Sequence, residues 1–156
     1  MFEWLESTAL AVWVGQSPSV WALPTVLTLH TAGLAMLVGA SWVLDLRLLG
    51  ISRTVPLSAF RWVFPVVGIG LAVNVATGVL LFIKNATTWA TSVPFLIKMS
   101  LVIAGVATVL PLRSHVLHSH SREDREGVPL RFLAIASILV WPAAVTAGRL
   151  LAYLIT

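Results

Sequence analysis

A single imidazole, His30, stands inside a run without Asp, Glu, Lys or Arg that extends from Ser7 to Leu44. Two cations, Lys98 and Arg149, interrupt two further apolar runs. Lipid tails offer no partner to an ionisable group, so each of these residues must find an answer within the protein or reach water. Histidine is the usual protein ligand of b-type haem, and Gly33, one turn on, would let a flat macrocycle approach the backbone. His30 is therefore a candidate iron ligand. The alternative is a hydrogen bond to a neighbouring helix, with Thr77, Asn74 and Thr108 as candidate partners.

Lys98 and Arg149 lie about 11 Å and about 10 Å from the centres of their runs at helical rise, on the same side as His30. No acidic residue occupies that half of any run. Their counter-charges could come from Glu3 or Glu6 folding over the end, or from lipid phosphates reached by snorkelling. A bound anionic group would serve equally: haem propionates or a quinone headgroup. His30, Gly33, Lys98 and Arg149 thus form the candidate cofactor site.

His115, His118 and His120 fall about 20 Å in depth from His30, too far to share one metal with it. His115 could ligate a separate haem, and the three together read more simply as a solvated, weakly metal-binding loop. Asp45 lies near Arg47, Arg61 and Arg113 in depth, which suggests an ion-pair cluster fixing helix ends. No phosphate-cradling glycine loop, nucleophile motif or carboxylate pair is present. The absence of cysteine excludes disulfides, thiolate metal sites and covalent c-type haem attachment.

The elements that must position these residues follow from composition. The chain has 156 residues, of which 58% are hydrophobic and 10% charged, with a mean hydropathy of +0.96. Soluble domains carry about 25% charged residues. Four apolar segments, about 19–49, 58–83, 94–117 and 129–155, each suffice to cross a bilayer as a helix. Residues 2–14 place Phe2, Leu5, Ala9, Val12 and Trp13 on one face, as in an amphipathic helix lying in the interface. Ser17-Pro18 provides a start for the first span. The expected fold is all-α: a single domain forming a four-transmembrane-helix bundle preceded by a short interfacial helix.

Orientation follows from basic residues. Arg47, Arg53, Arg61, Arg113, Arg122, Arg125 and Arg131 surround the first and third loops, against Lys84, Lys98 and Arg149 on the other side. Those loops are expected to be cytoplasmic, with both termini periplasmic and the chain in the bacterial inner membrane. Trp13, Trp21 and Trp89 would line the outer interface, and Trp42 and Trp62 the inner one. The net charge of +4 reflects this arrangement and does not imply nucleic acid. The acidic N-terminus lacks the positive start of a cleavable signal peptide.

The run Leu29-His30-Thr31-Ala32-Gly33-Leu34-Ala35, then Gly39 and Asp45-Leu46-Arg47-Leu48-Leu49-Gly50, resembles the first span of a group of small, functionally uncharacterised four-helix bacterial membrane proteins. Pro94-Phe95 with Lys98, and Gly148-Arg149-Leu150 with Ala152-Tyr153, are similar to that group's third and fourth spans. The resemblance extends from about residue 20 onward. It implies that His30, Asp45, Arg47, Lys98 and Arg149 are features of the group. Many of its members carry a histidine near the end of the third span, where this chain has Arg113 with His115 slightly later. In plan the group is distantly similar to copper-resistance-type and cytochrome-b-like four-helix proteins, a likeness of fold alone.

The leading expectation is an integral membrane subunit that binds b-type haem or quinone, passes electrons and anchors a partner oxidoreductase. Its partners would be lipids together with other membrane or periplasmic subunits, or further copies of itself. A non-catalytic structural or assembly subunit is the first alternative. A transporter or metal-handling protein using the 115–120 histidines is the second.

Overall fold

A computed structural model describes residues 2–118 and 128–154. Among the described residues the only regular structure is helical: α1 (Glu3–Glu6), α2 (Ala9–Gln16), α3 (Leu23–Leu48), a 3-10 turn (Leu57–Phe60), α4 (Val63–Ile83), α5 (Ala86–Trp89), α6 (Val93–His118) and α7 (Val128–Leu154). The helices α3, α4, α6 and α7 are long and apolar enough to cross a membrane, as the sequence led one to expect. The chain is a multi-pass membrane protein.

Its surface agrees with that conclusion. Ile103, Phe132 and Leu139 are each about two-thirds exposed. Such residues would be costly against water and cost nothing against acyl chains.

Helix ends are set locally. The first span begins at Leu23 and not at Ser19, because Ser17 and Ser19 form turns. The hydroxyl oxygen of Ser17 accepts from the Ser19 N–H, and that of Ser19 from the Trp21 N–H, each at 3.2 Å. Pro24 then falls in the first helical turn, where its missing N–H costs nothing. At the other end Gly50 adopts φ 112°. Its N–H reaches Arg47 O at 3.1 Å, and the Ile51 N–H reaches Leu46 O at 3.0 Å. This is the paired-carbonyl closure that glycine permits.

Arg47, 6% exposed, clasps the following loop: Nε donates to Val55 O at 2.8 Å and Nη2 to Arg53 O at 3.2 Å.

The expected single interfacial helix over 2–14 is instead two helices broken at Ser7-Thr8. Thr8 caps the second, its hydroxyl oxygen accepting from the Ala11 N–H at 3.3 Å. Nor does α2 lie free at the interface. Val14 is fully buried with Val26 and Leu81, so α2 is docked over the ends of α3 and α4. Glu6 Oε1 accepts from the Thr87 N–H at 2.8 Å, tying α1 to α5. Trp89, expected in an interfacial belt, packs against Phe95 with ring centroids 6.3 Å apart.

Two hairpins make the bundle, α3 with α4 and α6 with α7, joined mainly through α3 and α7. The core toward the 49–62 loop contains Leu44, Leu48, Leu112 and Val116, and the fully buried Trp141 packs against Gly105 at mid-bundle. Where α3 crosses α4, Gly33 and Gly70 meet backbone to backbone. A Cβ on Gly33 would lie 2.9 Å from Gly70 O, and one on Gly70 would lie 2.7 Å from Gly33 O. Small residues at such a crossing allow the contact that dispersion forces require in lipid.

Candidate functional site

His30 lies on α3 about 8 Å from the helix centre, toward the end that carries the termini. It is therefore shallower than its position in the apolar run suggested. Its Nδ1 is 2.9 Å from Thr77 Oγ1 on α4. The Thr77 hydroxyl in turn donates to Val73 O at 2.6 Å. A hydroxyl has one proton, and the short bond to Val73 O commits it. The network therefore assigns a proton to His30 Nδ1, which donates to Thr77. Asn74 completes the clasp, its Nδ2 donating to His30 O at 3.0 Å.

Of the partners considered from sequence, Thr77 and Asn74 are in place. Thr108 instead donates to Gly105 O on its own helix at 2.7 Å.

In the neutral ring this leaves the Nε2 lone pair open. Among the described residues Nε2 has no hydrogen-bond partner, and the ring is partly exposed. Its other flank lies over Gly78, where a Cβ would sit 3.4 Å from His30 Cε1.

Lys98 projects from α6. Its chain passes over Gly148 of α7, a Cβ on which would be 3.5 Å from Lys98 Cε and 3.7 Å from Nζ. The ammonium is within electrostatic reach of the His30 ring. Among the described residues it forms no hydrogen bond or ion pair. An imidazole lone pair on one hairpin and, on the other, an ammonium with no partner among the described residues thus lie within electrostatic reach of each other. Chemically this arrangement can accept one hydrogen bond and hold one negative or carbonyl oxygen.

Two expected members are placed differently. Gly33 offers no slot for a macrocycle, because the α4 backbone at Gly70 fills the space beside it. Arg149 is exposed. Its neighbour Gly148, not Arg149 itself, meets the site, since consecutive helical positions point about 100° apart. Glu6, one expected counter-charge, is engaged with Thr87.

The expected grouping of Asp45 with Arg47, Arg61 and Arg113 takes another form. Asp45 is 1% exposed, and among the described residues neither carboxylate oxygen has a hydrogen-bond partner of good geometry. It faces Ser137 of α7, which interacts with it. Arg47 turns to its loop carbonyls, and Arg61 Nη2 donates to Leu117 O at 3.2 Å. Arg113 is exposed. Charged residues near a helix end swing toward water or the loop, whereas the ring of positions facing α7 leaves Asp45 inside.

His115 has a buried Nε2 with no hydrogen-bond partner among the described residues. The side chain of His118 and all of His120 lie outside the described residues. Among the described residues no three potential ligands cluster.

Gly78, Gly148 and Ser137 were not anticipated. Gly78 adjoins Thr77 and Gly148 adjoins Arg149 in sequence, but nothing local marks either as a surface for another helix's side chain.

A four-helix integral membrane protein with a polar pair in the terminal half of its bundle is the class these features define. The chain belongs to the family described as "Family of unknown function (DUF6644)", whose model matches residues 1–154. Neither a curated protein nor a solved structure matches it.

Proposed function

We propose that the protein is a membrane-embedded electron-transfer subunit that holds the headgroup of a quinone between His30 and Lys98. One observation carries this reading: the open Nε2 of His30 lies within electrostatic reach of an ammonium that has no hydrogen bond or ion pair among the described residues. A quinone supplies carbonyl oxygens to a donor such as Lys98, and its reduced form supplies a hydroxyl to an acceptor such as the Nε2 lone pair. The quinone itself supplies the redox chemistry, and its electrons would come from a partner oxidoreductase anchored by this subunit. The arginine-rich loops support a periplasmic position for the termini, and with them for this site, in a bacterial inner membrane.

The test uses the full chain in detergent, titrated with a short-chain benzoquinone and followed by quenching of tryptophan fluorescence. Saturable binding that His30→Ala and Lys98→Ala each weaken is expected. Titration curves identical to those of the two variants would overturn the reading.

The same geometry favours b-type haem as a second reading, since a ligating histidine characteristically donates its other ring N–H to the protein, as Nδ1 does here. Any such haem must approach from the Lys98 side, because the Gly33 face is closed. A Soret band and a dithionite-induced α-band in the purified protein would support it, and their absence rejects it.

A structural or assembly subunit is favoured by the clasp of Thr77 and Asn74 on His30. It requires that His30→Ala lower stability while ligand binding is unaffected or undetectable.

A further inference from the structure

The two hairpins do not close evenly. While α3 packs on α4 and α7, and α6 on α7, the α4–α6 seam makes little contact. It leaves a cleft of about 130 Å³. The buried side chains of Leu37, Phe64 and Val67 form its floor. Val106 and Leu110 form the α6 wall, and Leu110 is 59% exposed, so the cleft opens outward to the bilayer. Gly68 lines it too, and a Cβ there would meet nothing within 4 Å.

At its mouth stands Arg113, which is exposed. Arg113 lies about 8 Å from the end of α6 at helical rise, within snorkelling reach of a headgroup. Arg61, at the same end, is tied to Leu117 O. Among the described residues Arg113 has no hydrogen bond or ion pair. The cleft is also separate from the His30 site: Leu37 is seven residues, or about 10 Å, along α3 from His30.

We propose that this cleft is a binding site for an anionic phospholipid, one acyl chain lying between α4 and α6 and the phosphate paired with Arg113. The apolar floor and walls select a hydrocarbon chain. The cation at the mouth selects a negatively charged head over a zwitterionic one. A guanidinium binds a phosphate through paired N–H donors, and its contribution near a membrane surface corresponds to about a fivefold preference.

The experiment extracts the full chain from vesicles of equal phosphatidylglycerol and phosphatidylcholine and records retained lipid by native mass spectrometry. The unaltered protein is expected to retain phosphatidylglycerol about fivefold over phosphatidylcholine. Arg113→Gln should retain both lipids equally. Gly68→Phe should lose the adduct of both, and the open space at Gly68 means this variant has room to fold. Leu110→Ala should weaken retention without changing headgroup preference. Equal retention by the unaltered protein would overturn the proposal, as would a preference that survives Arg113→Gln. A second copy of the chain retained in place of lipid would overturn it as well.

Discussion

Gly33 of α3 and Gly70 of α4 place their backbones so close that a Cβ on either would lie within 3 Å of the other's carbonyl oxygen. This contact is about one turn from His30. It sets the separation at which Thr77 and Asn74 can reach across, and it closes the Gly33 face of α3 to any cofactor. The crossing and the polar clasp therefore stand or fall together.

Gly33→Ala and Gly70→Ala should each force the helices apart. Overpacking of this kind costs about 1–3 kcal/mol, because the obstructing atoms are backbone and cannot rotate away. Thermal unfolding in detergent should report a lower midpoint for both, whereas Gly39→Ala, where a Cβ meets nothing within 4 Å, should leave it unchanged. Equal midpoints for all three would contradict the crossing.

Thr77→Val removes the acceptor for His30 Nδ1 while keeping the shape of the side chain. An interhelical hydrogen bond of this type is worth about 1 kcal/mol, and Thr77→Ser should restore it. Nitrogen NMR of labelled histidine should find the His30 proton on Nδ1 in the unaltered protein and in Thr77→Ser. A proton on Nε2 in the unaltered protein would refute the assignment.

Arg47→Lys keeps the charge but loses the fork that spans Val55 O and Arg53 O. One ammonium cannot reproduce the separated Nε and Nη2 donors. The loop over 49–62 should become more readily cut in limited proteolysis, with a stability loss of about 1–2 kcal/mol. Unchanged cleavage would show that the clasp does not restrain the loop.

Asp45→Asn should leave the unfolding midpoint unchanged or raise it. Asp45 is deeply buried with no ion pair among the described residues, and asparagine preserves its shape without a charge. Breaking a true buried ion pair would instead cost about 3–5 kcal/mol, so a fall of that size would restore the arginine cluster as its partner.

Much of the site was legible as a need without being legible as a solution. His30 and Lys98 stood out because apolar neighbours make an imidazole and an ammonium conspicuous, and the structure puts the two within electrostatic reach of each other. Asn74 and Thr77 could be named as partners because polar residues inside a span seek one another. Arg149 was equally conspicuous, yet its exposed side chain leaves the contact to Gly148.

The sequence by itself determined the number of spanning helices, since length and hydropathy are properties of each segment alone. It also carried the local signals at their ends, such as Pro24 in the first turn of α3 and Gly50 at its close. Only the tertiary structure decided which faces meet: that Gly33 serves a helix crossing, that Asp45 looks to Ser137, and that Lys98 crosses Gly148 toward His30. The physical reason is that lipid and protein interior are equally apolar. A spanning helix therefore carries little in its hydropathy to tell which side is turned inward, and its rotation is set by close packing and hydrogen bonds with helices distant in the chain.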